Sequence, residues 1–114
     1  METVEEQIQR VGATTAPRIT PQHIEEQIAD EVYCMGSEIG TMKSSSLASL
    51  LCLTICVLVM KNGFTVVGKS ACASPENYNE EVGRRVARED AVKQIWALEG
   101  YQLRTRLAVG PAPT

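Results

Sequence analysis

Aromatic residues make up only 4% of this 114-residue sequence: one Trp, three Tyr and one Phe. A nucleic-acid surface built on stacked bases is therefore poorly supplied. Excess positive charge is missing too, since 11 Lys and Arg against 14 Asp and Glu leave a net charge of −3. That balance speaks against a nonspecific phosphate-backbone binder, though not against a local basic patch for one small anion. Histidine occurs once, as His23, and the four cysteines (Cys34, Cys52, Cys56, Cys72) form no CxxC pair. Cys52 and Cys56 share a strand face but sit roughly 13 Å apart on a strand, too far for a disulfide or a common metal ion. They read as reduced packing residues of a reducing compartment. No run is long enough to span a bilayer: the longest apolar stretch, Leu47 to Met60, holds Ser49 and Thr54, and a transmembrane helix needs about 20 residues. The acidic start, Met1-Glu2-Thr3-Val4-Glu5-Glu6, lacks a signal-peptide core. The chain reads as cytoplasmic.

What is present begins with hydrophobic residues at 44%, enough for one small domain with a core. The run Val57-Leu58-Val59-Met60-Lys61-Asn62-Gly63-Phe64-Thr65-Val66-Val67-Gly68 places an Asn-Gly pair between two β-rich segments, a strong hairpin signal. A two-residue type I′ turn there sets Met60 opposite Thr65, Val59 opposite Val66 and Val57 opposite Gly68. Strands then run from about Leu50 to Met60 and from Phe64 to about Ser70. Ile55, Val57, Val59 and Val66 fall on one face, and Cys56, Leu58, Met60 and Val67 on the other. Neither face is polar enough to rest against water, and Gly68 suggests a bulge or a close-packed neighbour.

Helical signals flank the hairpin. Thr3 and Glu6 fit a capping box before Val4, Ile8 and Val11, with Gly12 as the stop. Thr20 and Pro21 open a second helix whose stripe is Ile24, Ile28, Val32 and Met35, ending at Gly36. His23 lies in its first turn and faces solvent. Ser37 to Ser46 reads as a mobile polar connector. After Ser74-Pro75, with Asn77 or Asn79 as a later cap, a helical pattern runs from Tyr78 to Leu107. Glu80→Arg84, Glu81→Arg85 and Glu89→Lys93 support it at i,i+4. One stripe carries Tyr78, Val82, Val86, Trp96, Leu103 and Leu107, interrupted by Glu89 and Lys93, with Gly100 on its line. Nearly opposite lie Ala87, Ala91, Ile95 and Leu98. Trp96 is assigned to the core. The sequence thus predicts an α+β fold. A two-stranded antiparallel β-hairpin packs on a long C-terminal helix, with one or two N-terminal helices. Residues 1–18 form an extension, 19–107 one domain and 108–114 a disordered tail. Two apolar hairpin faces and a two-striped helix exceed what one chain covers, so a homo-oligomer is expected. The alternative is a monomer whose N-terminal helices cover the second face.

From the hairpin onward the sequence resembles a small bacteriophage family, gene product 49 / gene product 66. The motifs are Lys61-Asn62-Gly63-Phe64, Ser70-Ala71-Cys72, Pro75-Glu76-Asn77-Tyr78 and Ile95-Trp96-Ala97-Leu98-Glu99-Gly100-Tyr101. The resemblance covers residues 50–107, more weakly Ile19-Thr20-Pro21 and its helix, and leaves out the first 18. It implies a phage or prophage accessory gene, an origin rather than a mechanism.

Candidate site residues gather at the start of the long helix, where free N–H groups favour an anion: Ser70, Ser74, Asn77, Tyr78, Arg84, Arg85 and Arg88. The competing reading is a capped helix whose arginines pair with Glu80, Glu81 or water. With no P-loop, no Ser/His/Asp set and no metal-ligand spacing, no catalytic residue, metal or cofactor is assigned, and the chain is read as a non-enzyme. The expected function is a non-catalytic phage protein of host takeover or counter-defence in the host cytoplasm. It would sequester a small anionic, nucleotide-type signal at subunit interfaces or, alternatively, inhibit a host protein by contact.

Overall fold

In the computed structural model, which describes residues 1–110, the hairpin is extended by a third strand into one antiparallel sheet. The elements are helix α1 (Val4–Arg10), helix α2 (Pro21–Glu26), strand β1 (Ile28–Met35), a one-turn helix α3 (Leu47–Leu50), strands β2 (Leu53–Met60) and β3 (Thr65–Ala71), and helix α4 (Glu80–Val109). The strands lie in the order β1-β2-β3. Part of the expected tail, Ala108 and Val109, continues α4; positions 111–114 lie outside the described residues.

The strand β1 corrects the second helix. Thr20 does cap α2, accepting the His23 N–H at 3.1 Å, and Pro21 occupies its first turn. The helix stops at Glu26, however, and Ile28–Met35 pairs along β2 from Ile28↔Met60 to Met35↔Thr54, with a bulge between Ile28 and Asp30. Four-residue spacing of Ile24, Ile28 and Val32 suits either periodicity. Pairing with the open edge of β2 supplies backbone partners that a lone surface helix lacks, and Val32-Tyr33-Cys34 prefers extended backbone.

The turn is also different from the expected type. The register is Val59↔Thr65, Leu58↔Val66 and Cys56↔Gly68, one residue away from the two-residue turn. Met60 accepts the Gly63 N–H at 2.9 Å and donates to Phe64 O at 2.7 Å, leaving Lys61-Asn62-Gly63 as a three-residue loop. Only Gly63 takes positive φ (90°), while Asn62 Oδ1 accepts the Phe64 N–H at 2.9 Å. Asn62 uses its side chain to build the turn instead of going left-handed, which gives a type I turn followed by a glycine bulge.

That one-residue slip moves Val66 to the face of Cys56, Leu58 and Met60, and this face is the core. Helix α4 covers it with Gly83, Ala87, Ala91, Ile95 and Glu99, and Ile24 closes the end. Full burial of Leu58 stabilises the fold by about 1.5–3 kcal/mol. Small residues dominate because α4 runs very close to β3: a Cβ on Gly68 would lie 2.1 Å from Ala87 O and 2.4 Å from Ala91 N. The other sheet face, with Ile55, Val57 and Val59 half-buried and Val32 and Val67 exposed, is not covered by α4. The stripe expected to be core is the outward one, and Trp96 is 38% exposed. Close approach selects small side chains inward and leaves large ones outside. No atom lies within 4 Å of a Cβ built on Gly100, which answers to no close neighbour.

Side chains engage two backbone groups on each outer strand. Asp90 accepts the Lys69 N–H at 3.0 Å and Gln94 donates to Val67 O at 2.5 Å along β3. On β1, Asp30 accepts the Glu31 N–H at 2.8 Å and Glu38 the Met35 N–H at 2.7 Å. Within the extension Arg18 donates to Glu5 at 2.7 Å and 2.9 Å, and α1 buries none of its residues.

Candidate functional site

The turn Pro75–Asn77 leads into α4, whose N-cap is Asn79 rather than Asn77; its Oδ1 accepts the Val82 N–H at 2.9 Å. Beside this helix start lie two adjoining clefts that share Thr54 and Tyr78. The smaller, about 140 Å³, is lined by Ser70, Asn77, Tyr78, Asn79 and Val82, with Cys52, Cys72 and Gly83. The larger, about 230 Å³, is lined by Tyr33, Cys34, Met35, Glu38, Glu80 and Arg84. Four predicted site residues, Ser70, Asn77, Tyr78 and Arg84, therefore meet around one helix start.

The remaining predicted residues point elsewhere. Arg88 forms a bidentate pair with Glu25 (3.0 and 2.6 Å) and reaches Glu31 at 3.4 Å, clamping α4 to α2 and β1. This clamp holds the Glu25 carboxyl below its usual range and raises the Arg88 guanidinium. Arg85 pairs with Glu89 at 3.2 Å rather than Glu81, and Ser74 bonds Glu76, lowering the Glu76 carboxyl. Arg84 pairs with Glu80 at 2.7 Å, as the spacing predicts, and its guanidinium lies 5.3 Å from the Tyr33 ring centre. Burial, then the bond to Glu31, raises the Tyr33 phenol. With Glu80 and Glu81 in the first turn, the helix start is balanced rather than strongly positive.

Three cleft residues escaped the sequence reading. Thr54 is 2% exposed, and its Oγ1 has no hydrogen-bond partner among the described residues. An unmade buried hydroxyl bond costs about 1–3 kcal/mol, so this atom is available to a ligand or water in the cleft. Cys52 and Cys72 face each other where β2 and β3 begin and end, and burial, followed by the Cys72 thiol, raises the Cys52 thiol. The alternation Cys52-Leu53-Thr54 within an apolar strand was the available signal. His23, expected in solvent, is half-buried with Nε2 3.4 Å from the Glu99 carboxylate.

A second concavity lies between the hairpin tip and the C-terminal half of α4. It is an open groove of about 610 Å³ lined by Phe64, Thr65, Val66, Val67, Gln94, Ala97, Leu98 and Tyr101. Phe64 is 55% and Tyr101 79% exposed, so two of five aromatic residues stand at this surface.

Residues 19–107 match the family described as "Phage protein (N4 Gp49/phage Sf6 gene 66) family". The chain belongs to this family. The match takes in the sheet, the helix α4 up to Leu107 and both concavities, so this phage family supplies every element that shapes them. No curated protein and no solved structure matches the chain. Among the described residues no helix is long and apolar enough to cross a membrane.

Proposed function

We propose that this phage protein is a non-catalytic accessory protein of host takeover or counter-defence, and that it acts in the host cytoplasm by gripping a host protein in the groove between Phe64 and Tyr101. The observation that carries this reading is the groove itself. Its wall is mostly apolar and its rim is aromatic, the composition that dominates binding energy at protein contacts. Against a nucleotide as principal ligand stand Arg84, Arg85 and Arg88, each paired with a carboxylate, and the two acidic residues of the first turn of α4.

The test is a photo-crosslinking residue placed at Tyr101, or at Arg85 as a remote control, in protein produced in the host. One host protein captured from Tyr101, not from Arg85, and lost on Leu98→Glu supports the reading. Identical adducts from both positions refute it.

A second reading, sequestration of a small anionic molecule, is favoured by the unpartnered Thr54 hydroxyl in the cleft with Ser70, Asn77, Tyr78 and Arg84. It predicts a rise in melting temperature with some member of a nucleotide panel, lost on Arg84→Ala. A flat response across the panel removes it.

A further inference from the structure

We infer that a second copy of this chain docks on the outward face of α4, antiparallel, with the two helices packed back to back. The outward face carries a strict alternation of four- and three-residue steps from Val82 through Val86, Glu89, Lys93, Trp96, Gly100 and Leu103 to Leu107. This is the seam of a coiled coil, sustained over about three and a half heptads and about 38 Å of helix. It lies opposite the Gly83–Ala87–Ala91–Ile95 stripe, and Val82, Val86, Trp96 and Leu107 are all exposed along it.

The two polar residues in the seam choose the occupant's direction. A parallel copy would set Glu89 against Glu89 and Lys93 against Lys93, like charges in the same layer. Reversing the copy about a point midway between Lys93 and Trp96 gives Val82–Leu107, Val86–Leu103, Glu89–Gly100 and Lys93–Trp96. Every layer is then compatible. Leucine meets valine at both ends, the lysine ammonium lies over an indole face, and Glu89 meets the glycine that has no neighbour within 4 Å of its Cβ position. Glu89 also keeps Arg85 beside it at 3.2 Å, so its charge is not brought in unpaired. Opposed helix dipoles favour the same orientation.

Light scattering and crosslinking test this together. Wild-type protein is expected at twice the 12.4 kDa chain mass, and Leu103→Glu at the chain mass with an unchanged far-ultraviolet spectrum and a cooperative melt. Trp96, the one tryptophan, should shift its emission to the red in that variant. With Cys34→Ser and Cys72→Ser as background, oxidation should link chains carrying Val86→Cys and Leu103→Cys together, and not chains carrying Val86→Cys alone. A wild-type monomer, a dimer untouched by Leu103→Glu, or crosslinking through Val86→Cys alone would overturn the proposal.

Discussion

Replacing Gly68 by alanine tests the close approach on which the fold rests. The added methyl would sit 2.1 Å from Ala87 O and 2.4 Å from Ala91 N, both backbone atoms of α4. No side-chain rotation relieves that contact, so the helix must retreat by roughly 1 Å, and a gap of that size forfeits a quarter to a half of each dispersion contact it opens. Ala87, Ala91 and Ile95, all fully buried, lose contacts together. Overpacking costs typically 1–3 kcal/mol, and a clash with backbone belongs at the top of that range, about 3 kcal/mol. At about 4 °C per kcal/mol for a domain of this size, the melting temperature should fall by about 12 °C. Two internal controls bracket the result. Gly83→Ala meets a movable side-chain atom, Thr54 Oγ1 at 2.6 Å, and should cost much less. Gly100→Ala meets nothing within its own chain, and its gain in helix propensity should stabilise the folded chain by about 0.5–1 kcal/mol. Urea and thermal denaturation read all three. Gly68→Ala melting within about 2 °C of wild type would refute the helix placement.

The Arg88 clamp predicts a pH dependence. Because Arg88 lowers the Glu25 pKa in the folded state, the stabilisation is present above the unfolded value of about 4.3 and is lost as pH falls through the lower folded value. The wild type should exceed Glu25→Gln at pH 6 by less than about 1 kcal/mol, since the pair is partly solvated. That margin should close in acid; urea midpoints that diverge below pH 4 would contradict the clamp. In the turn, Gly63→Ala should cost about 1–2 kcal/mol because its φ is 90°. Asn62→Ala should cost only the side-chain bond to Phe64, about 0.5–1.5 kcal/mol. Comparable large losses at both positions would instead indicate a two-residue turn.

Those elements whose signals are local were legible in the sequence. The caps Thr3 and Thr20, the Asn-Gly turn region and the i,i+4 pair Glu80–Arg84 all stand where spacing places them. Strand β1 was not, because Ile24, Ile28 and Val32 fit a helix equally well until β2 offers its edge. The register slip was decided by one torsion choice at Asn62. On α4 apolar size does not mark the inward stripe, because the approach of the helix to Gly68 admits only small residues there. At the cleft, Ser70, Asn77, Tyr78 and Arg84 were legible because they cluster at one helix start. Arg88 was misplaced because its partners, Glu25 and Glu31, come from elements far away in sequence. The alternation Cys52-Leu53-Thr54 marks Thr54 as inward-facing but not as unpaired; its importance arises from burial without a partner.

The carboxylates and the amide that engage the outer strands have a consequence for how this protein behaves at high concentration. A bare sheet border is a template on which further chains can add, ending in ladders or fibrils. Here Asp90 and Gln94 guard one border, and Asp30 and Glu38 the other. Borders engaged in this way offer an incoming strand fewer free N–H and C=O groups on which to start such a polymer.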